Sequence, residues 1–312
     1  MKTLSFNNRK MPPVRALLAI LIVLSHFSFF GVAELRFLRF LAPVCVSIFL
    51  FISGYGLMVS FQKKGKDYLQ TFLQRRILKI ALPAIAVSII HLLLCGNGEI
   101  SLLERIRLVF TKGSTLLPHY WFVWVILFEY LVFWFSFKIL PGKYPPYSIL
   151  FCTVSFTILT ILAGFDRCWW ICSLSFPTGL LFATYESTIF SFCSKREGHY
   201  WLVLGLSGLI SAGLHYIGNP ICLTCCYIFI PVMAALVIAR IPLDASRLPV
   251  LKWIGTISYE LYLIHITIMS FLRGTLVYIS SDALYIAAVL CLSICFAYGI
   301  HLLCQLLTPK TN

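Results

Sequence analysis

Two ionisable side chains, Arg15 and His26, stand in one apolar run near the start of the chain. They are separated by about 1100° of helix, roughly 20° past three full turns, so both share one helix face about 16.5 Å apart along the axis. A histidine titrates near neutral pH and suits proton transfer. An ionisable group at membrane depth is costly and marks a candidate functional site. A hydrogen bond to a neighbouring helix would also account for His26, and surface anchoring for Arg15.

Further along, Gln74-Arg75-Arg76-Ile77-Leu78-Lys79 opens an apolar run, with Pro83 one turn on and Lys63, Lys64 and Lys66 before it. Cations on the first turn of a helix favour anions, and Arg grips phosphate oxygens bidentately. Arg76 and Lys79 are three apart and share a face. A multiply phosphorylated ligand fits Arg75, Arg76 and Lys79, although positive anchoring of the loop would also explain them. His119-Tyr120-Trp121-Phe122-Val123-Trp124 opens another run, with Glu129 and Tyr130 deeper in it. An aromatic belt would account for the rings, while Glu129 at that depth must be paired or protonated. Trp253 to His265 contains Gly255, Ser258, Tyr259, Glu260 and Tyr262, and places His265 near the depth expected for His26. Two histidines at one depth point to a shared cavity. His91, His199, His215 and His301 read as structural or exposed, and Asp166-Arg167 as a loop pair. Cys222, Cys225 and Cys226 lack a His or second Cys pair in a polar context nearby, so packing is expected and no metal site. No Gly-x-Ser-x-Gly elbow supports a serine triad.

These residues need elements that hold them in lipid. The chain has 312 residues, 60% hydrophobic and 12% charged, with a mean hydropathy of +0.92. A water-soluble globule cannot hide that much apolar surface. Ten apolar runs stand at 14–31, 38–60, 77–95, 119–140, 147–164, 168–186, 200–217, 220–240, 251–273 and 283–307. Each is long enough, or nearly so, to cross a core of ~30 Å. In lipid the backbone must satisfy itself, and these runs do not alternate as barrel strands do. The expected fold is all-α integral membrane, with about ten transmembrane helices in a single domain over 1–312 and no room for an appended soluble domain. The first run is expected to stay in place rather than be cleaved as a signal peptide, because it carries Arg15 and His26.

The net charge of +14 does not indicate nucleic acid. With the N-terminus inside, 18 of the 25 Lys and Arg fall on inner segments and 7 on outer ones, which predicts both termini in the cytoplasm. No internal repeat supports an inverted-repeat transporter.

In order and spacing these motifs resemble acyltransferase family three, a family of integral membrane acyltransferases. Arg15, a ten-residue gap and His26 resemble its first-helix signature. Phe49-Leu50-Phe51-Ile52-Ser53-Gly54-Tyr55 resembles its second-helix stretch. Arg75-Arg76-x-x-Lys79 is similar to its Arg-x-x-Arg motif, with Lys in place of the second Arg. His119-x-Trp121-Phe122 with Tyr130, and Gly255-x-x-Ser258-Tyr259-x-x-Tyr262-Leu263-x-His265, match as well. The resemblance implies a multi-pass bacterial inner-membrane O-acyltransferase. Acyl-CoA, most often acetyl-CoA, would be the cytoplasmic donor, and a hydroxyl of an extracytoplasmic glycan or lipid-linked saccharide the acceptor. It implies His26 as catalytic residue, either as the base for the acceptor hydroxyl or as a covalent acyl carrier, with Arg15 as partner and Arg76 in the donor motif. His119, Trp121, Glu129, Tyr130, Tyr259 and His265 are expected on the acceptor side or in support. The partners expected are acyl-CoA, the glycan and membrane lipids. A polytopic permease or flippase for lipid-linked glycan is the alternative, distinguished by having no dependence on acyl-CoA.

Overall fold

A computed structural model describes residues 10–96, 120–242 and 245–308, together with Phe6, Glu104, 107–109, Gly113 and Leu117. Each of the ten apolar runs is occupied by helix. They are α1 (Met11–His26), α2 (Leu41–Lys64), α3 (Leu78–Cys95), α4 (Trp121–Ile139), α5 (Tyr144–Leu162), α6 (Ser175–Lys195), α7 (Glu197–Ile217) and α8 (Pro220–Arg240). The last run is α11 (Asp282–Leu307), and the run before it is split into α9 (Pro249–Thr256) and α10 (Ser258–Leu272).

Among the described residues, eight helices are long and apolar enough to cross a membrane: Met11–Phe30, α2, Leu73–Cys95, α4, α5, α7, α8 and α11. The pair α9 and α10 makes a ninth if taken as one bent span. The remaining run forms α6, whose 21 residues give a length of about 31 Å. Its Thr178, Thr184, Glu186, Ser187, Thr188 and Ser191 dilute its hydropathy. The fold is therefore all-α and integral to the membrane.

The run at 251–273 is not the one straight helix its hydropathy implies. It bends by 73° between Thr256 and Ser258. Hydroxyls on either side of the bend take backbone carbonyls. Thr256 Oγ1 donates to Trp253 O at 2.6 Å and Ser258 Oγ to Gly255 O at 3.0 Å. Such local bonds compete with the helical ladder.

The chain divides into two units. One comprises Met1–Lys10, Val46–Phe72 and Val125–Asp244. Its packing is made by small residues and hydroxyls. A Cβ on Gly54 would lie 2.1 Å from Phe176 O, and one on Gly179 would lie 2.0 Å from Phe51 O. The backbones of α2 and α6 therefore touch at two reciprocal points three residues apart, as small residues allow between membrane helices. Phe6 sits among the rings of Phe51, Tyr55 and Phe182, at 6.3, 4.7 and 6.3 Å. Helix α8 is capped at both ends. Asn219 Oδ1 accepts from Cys222 N at 2.8 Å, and Pro220 at the first position needs no partner for an N–H. At the other end, buried Lys10 donates from Nζ to Ile238 O and Ala239 O at 3.1 and 2.9 Å, serving carbonyls the helix leaves open.

The other unit comprises Met11–Cys45, Leu73–Trp124 and Ala245–Asn312. Its centre is α10, with 12 of 15 residues buried. Helices α1, α3 and α11 pack around it. Helix α9 crosses α1 so closely that a Cβ on Gly255 would lie 2.0 Å from Pro12 O.

Candidate active site

The site is built on α10 and the helices that touch it. His26 is the last residue of α1 and is buried. Its Nδ1 lies 2.8 Å from Ile22 O, one turn back in the same helix. His265, fully buried at the middle of α10, brings its Nε2 to 3.4 Å from His26 Nδ1. The ring centroids are 5.1 Å apart. Two histidines 239 positions apart in sequence thus meet inside one unit, as their expected depths predicted. The chain continues from His26 into a 3-10 turn, Phe27–Phe30, closed by Gly31 at φ +91. Arg15 is exposed on α1.

The aromatic side of the pair comes from α4 and α10. Tyr262 lies 5.9 Å from His265 between ring centroids, and Phe122 lies 5.1 Å from Tyr262, edge to face. Trp121, 6.0 Å from Phe122, is buried beside it. Tyr120 donates to Ala84 O at 3.2 Å, tying the start of α4 to α3.

Helix α3 is registered against α10 at both ends. Tyr259 donates to Ile80 O at 3.0 Å, and His91 Nδ1 lies 3.1 Å from Thr267 Oγ1. Tyr259 therefore supports the start of α3, where the basic cluster stands. Arg75 and Arg76 lie in a π-helical turn, Leu73–Ile77, that leads directly into α3. Such turns are uncommon and frequent at functional sites. Arg75 and Lys79 are exposed and Arg76 is half-buried.

Two further contacts hold α10, and sequence reasoning did not find them. On α10, Glu260 Oε1 lies 2.8 Å from His301 Nδ1 of α11, and His301 Nε2 lies 2.8 Å from Gln305 Nε2. The only signal in sequence was His301 and Gln305 at helical spacing in an apolar run, with a lone acid in another. At the opposite end of α10, Arg273 pairs with Asp282 and donates to Phe30 O. Its guanidinium also covers the Tyr285 ring at 4.1 Å. One cation thus joins the ends of α1, α10 and α11.

Glu129 and Tyr130 belong to the other unit. Glu129 is fully buried; its Oε2 accepts from Thr153 Oγ1 at 2.9 Å, and its Oε1 has no hydrogen-bond partner among the described residues. Tyr130 shares a 2.6 Å hydrogen bond with Ser53 and packs against Phe72 and Phe176. His119 lies outside the described residues. No group of three or more His, Cys, Asp or Glu able to hold a metal occurs among the described residues, and the described cysteines form no disulfide.

The fold and site define a multi-helix membrane protein with a buried histidine pair and an accessible basic cluster on one unit. A family model for an acyltransferase domain matches residues 14–302, and the chain belongs to acyltransferase family three. No curated protein and no solved structure matches it. The protein is a membrane acyltransferase.

Proposed function

We propose that this acyltransferase moves an acyl group, acetyl before longer ones, from cytoplasmic acyl-CoA to a hydroxyl of an extracytoplasmic glycan or lipid-linked saccharide. The observation that carries the reading is the contact between His26 and His265 in the unit that also carries Arg75, Arg76 and Lys79. Both termini are placed in the cytoplasm by the excess of Lys and Arg on inner segments, in a bacterial inner membrane. The phosphates of the donor dock on Arg75, Arg76 and Lys79, and the pantetheine arm rises into the bundle. Arg15 orients the donor or its carbonyl. His26 removes the proton of the acceptor hydroxyl as that oxygen attacks the thioester carbon. The C–S bond breaks, and the thiolate leaves with the proton held by His26. Trp121 and His119 line the acceptor side, and Tyr259 and His265 support it.

Surface glycan from cells carrying wild-type protein should contain base-labile acetyl groups that disappear with His26→Ala. The same acetyl content in the mutant would sink the catalytic assignment. Acetyl-CoA should also protect purified protein against heat, and Arg76→Ala should weaken that protection. A permease without acyl chemistry gives no protection by acetyl-CoA.

A further inference from the structure

His26 presents one ring nitrogen, Nδ1, to two atoms. These are the Ile22 carbonyl oxygen at 2.8 Å and His265 Nε2 at 3.4 Å. A carbonyl oxygen only accepts, so Nδ1 of His26 carries the hydrogen. A neutral imidazole has one N–H, and its other nitrogen then holds a lone pair. That nitrogen is Nε2. The second contact fixes the neighbour as well. Two N–H groups pointed at one another repel, so His265 turns the lone pair of its Nε2 towards His26 and carries its own hydrogen on Nδ1.

We infer that His26 reacts through Nε2, and that Ile22 O and His265 Nε2 are positioning groups that hold this tautomer. The inference rests on the acyl-transfer reading above. In that reaction Nε2 takes the proton of the acceptor hydroxyl as the new C–O bond forms and the C–S bond breaks. His26 is then an imidazolium with hydrogen on both nitrogens, and its Nδ1–H remains held by the two acceptors. The departing thiolate takes the proton from Nε2 and becomes the CoA thiol. The ring returns to its starting tautomer, with nothing gained or lost. The arrangement performs the orienting task that a carboxylate performs beside the histidine of a hydrolase triad. Two neutral acceptors do it here, which avoids burying a carboxylate. The local bond is set by the helix itself, since Ile22 is one turn before His26. The long-range bond is set by the rotation of α10.

Two measurements test the inference, and the first does not depend on activity. Protein labelled with nitrogen-15 histidine in lipid bilayers gives a solid-state spectrum, and subtraction of the His26→Gln spectrum isolates His26. A hydrogen-bearing Nδ1 and a bare Nε2 are expected near neutral pH. A hydrogen-bearing Nε2 with a bare Nδ1 overturns the inference, whether or not the protein transfers acyl groups. The second measurement uses membrane vesicles from the cell that makes this chain, supplied with acetyl-CoA and scored for base-labile acetyl on glycan. Glutamine keeps an acceptor near the position of Nε2, and leucine does not. His265→Leu should lower kcat about 10- to 100-fold, the size of effect seen when an orienting partner is lost, with the KM for acetyl-CoA unchanged. His265→Gln should recover most of that loss. Equal loss in both variants, or none in His265→Leu, overturns the positioning role of His265. Absence of acetyl transfer by the wild type overturns the function proposed above and leaves the tautomer measurement standing.

Discussion

Each unit has its own kind of contact between helices. In the unit around α10, helices meet through ionisable side chains: His26 with His265, Glu260 with His301, and Arg273 with Asp282. In the other unit, α2 and α6 meet backbone to backbone at Gly54 and Gly179, with Tyr55 donating to Glu186 between the same helices, and Glu197 of α7 pairs with Arg240 of α8. Hydroxyls there bond mostly to main-chain carbonyls, as Ser175 does to Tyr227 O at 2.7 Å. The contrast extends to burial. Helix α10 buries 12 of its 15 residues, whereas α7, of 21 residues, buries only Tyr200, Ser207 and Ser211. Glycine contacts are blind to protonation and make a rigid frame. Ionisable contacts respond to charge and can take part in proton transfer. The units differ in where these joints fall: around α10 they converge on one buried helix, whereas in the other unit they lie apart, between α2 and α6 and between α7 and α8.

That comparison can be broken or sharpened by substitution. The largest effect is expected in the frame. Gly179→Val places carbon where Phe51 O already lies, and neither backbone can yield cheaply. Folded protein should be absent from solubilised membranes by fluorescence-detected size exclusion; normal yield would mean that the glycine contact does not hold the unit. Next comes His26→Ala, which should reduce acetyl transfer by about 10²- to 10⁴-fold while thermal unfolding changes little. A large fall in thermal stability would instead make the histidine pair a structural joint. Arg273→Met removes a cation whose side chain is 8% exposed, while its partner Asp282 is 41% exposed. Because that partner is partly solvated, a cost of about 2–3 kcal/mol is expected rather than the full penalty of a buried pair. Thermal unfolding in detergent would show it, and an unchanged midpoint would remove Arg273 from the list of joints. The smallest effect belongs to Glu129→Gln. The amide keeps an acceptor for Thr153, so stability should change by less than about 1 kcal/mol. Loss of acetyl transfer in that variant would bring the frame unit into the chemistry and blur the contrast.

Much of this was legible in the sequence. The apolar runs located the helices, because lipid leaves the backbone no other form. Depth counting along α1 and the run containing His265 placed two histidines at one level, and they meet. The bend before Ser258 was hidden, since hydropathy averages over a window and does not sense hydroxyls competing for carbonyls. Glu260 and His301 were visible as polar residues, but their pairing depends on how α11 is rotated against α10, which neither segment encodes alone. Arg273 was counted only as one loop charge. Its role appears when the ends of three helices converge on it. Tyr130 follows Trp121 on one helix and was grouped with it on the acceptor side, although about 180° round the helix from it. The boundary between units falls inside that helix, between Trp124 and Val125, and a continuous apolar run gives no sign of it.

The 239-residue separation of His26 and His265 also sets a schedule. At about 5–20 residues per second, His26 leaves the ribosome roughly 10–50 s before its partner exists. For that interval α1 sits in the bilayer with a polar ring whose long-range contact has not been made. The pair can be completed only after nearly all of the chain has been synthesised and inserted, so a nascent chain halted before α10 lacks the contact between His26 and His265 altogether.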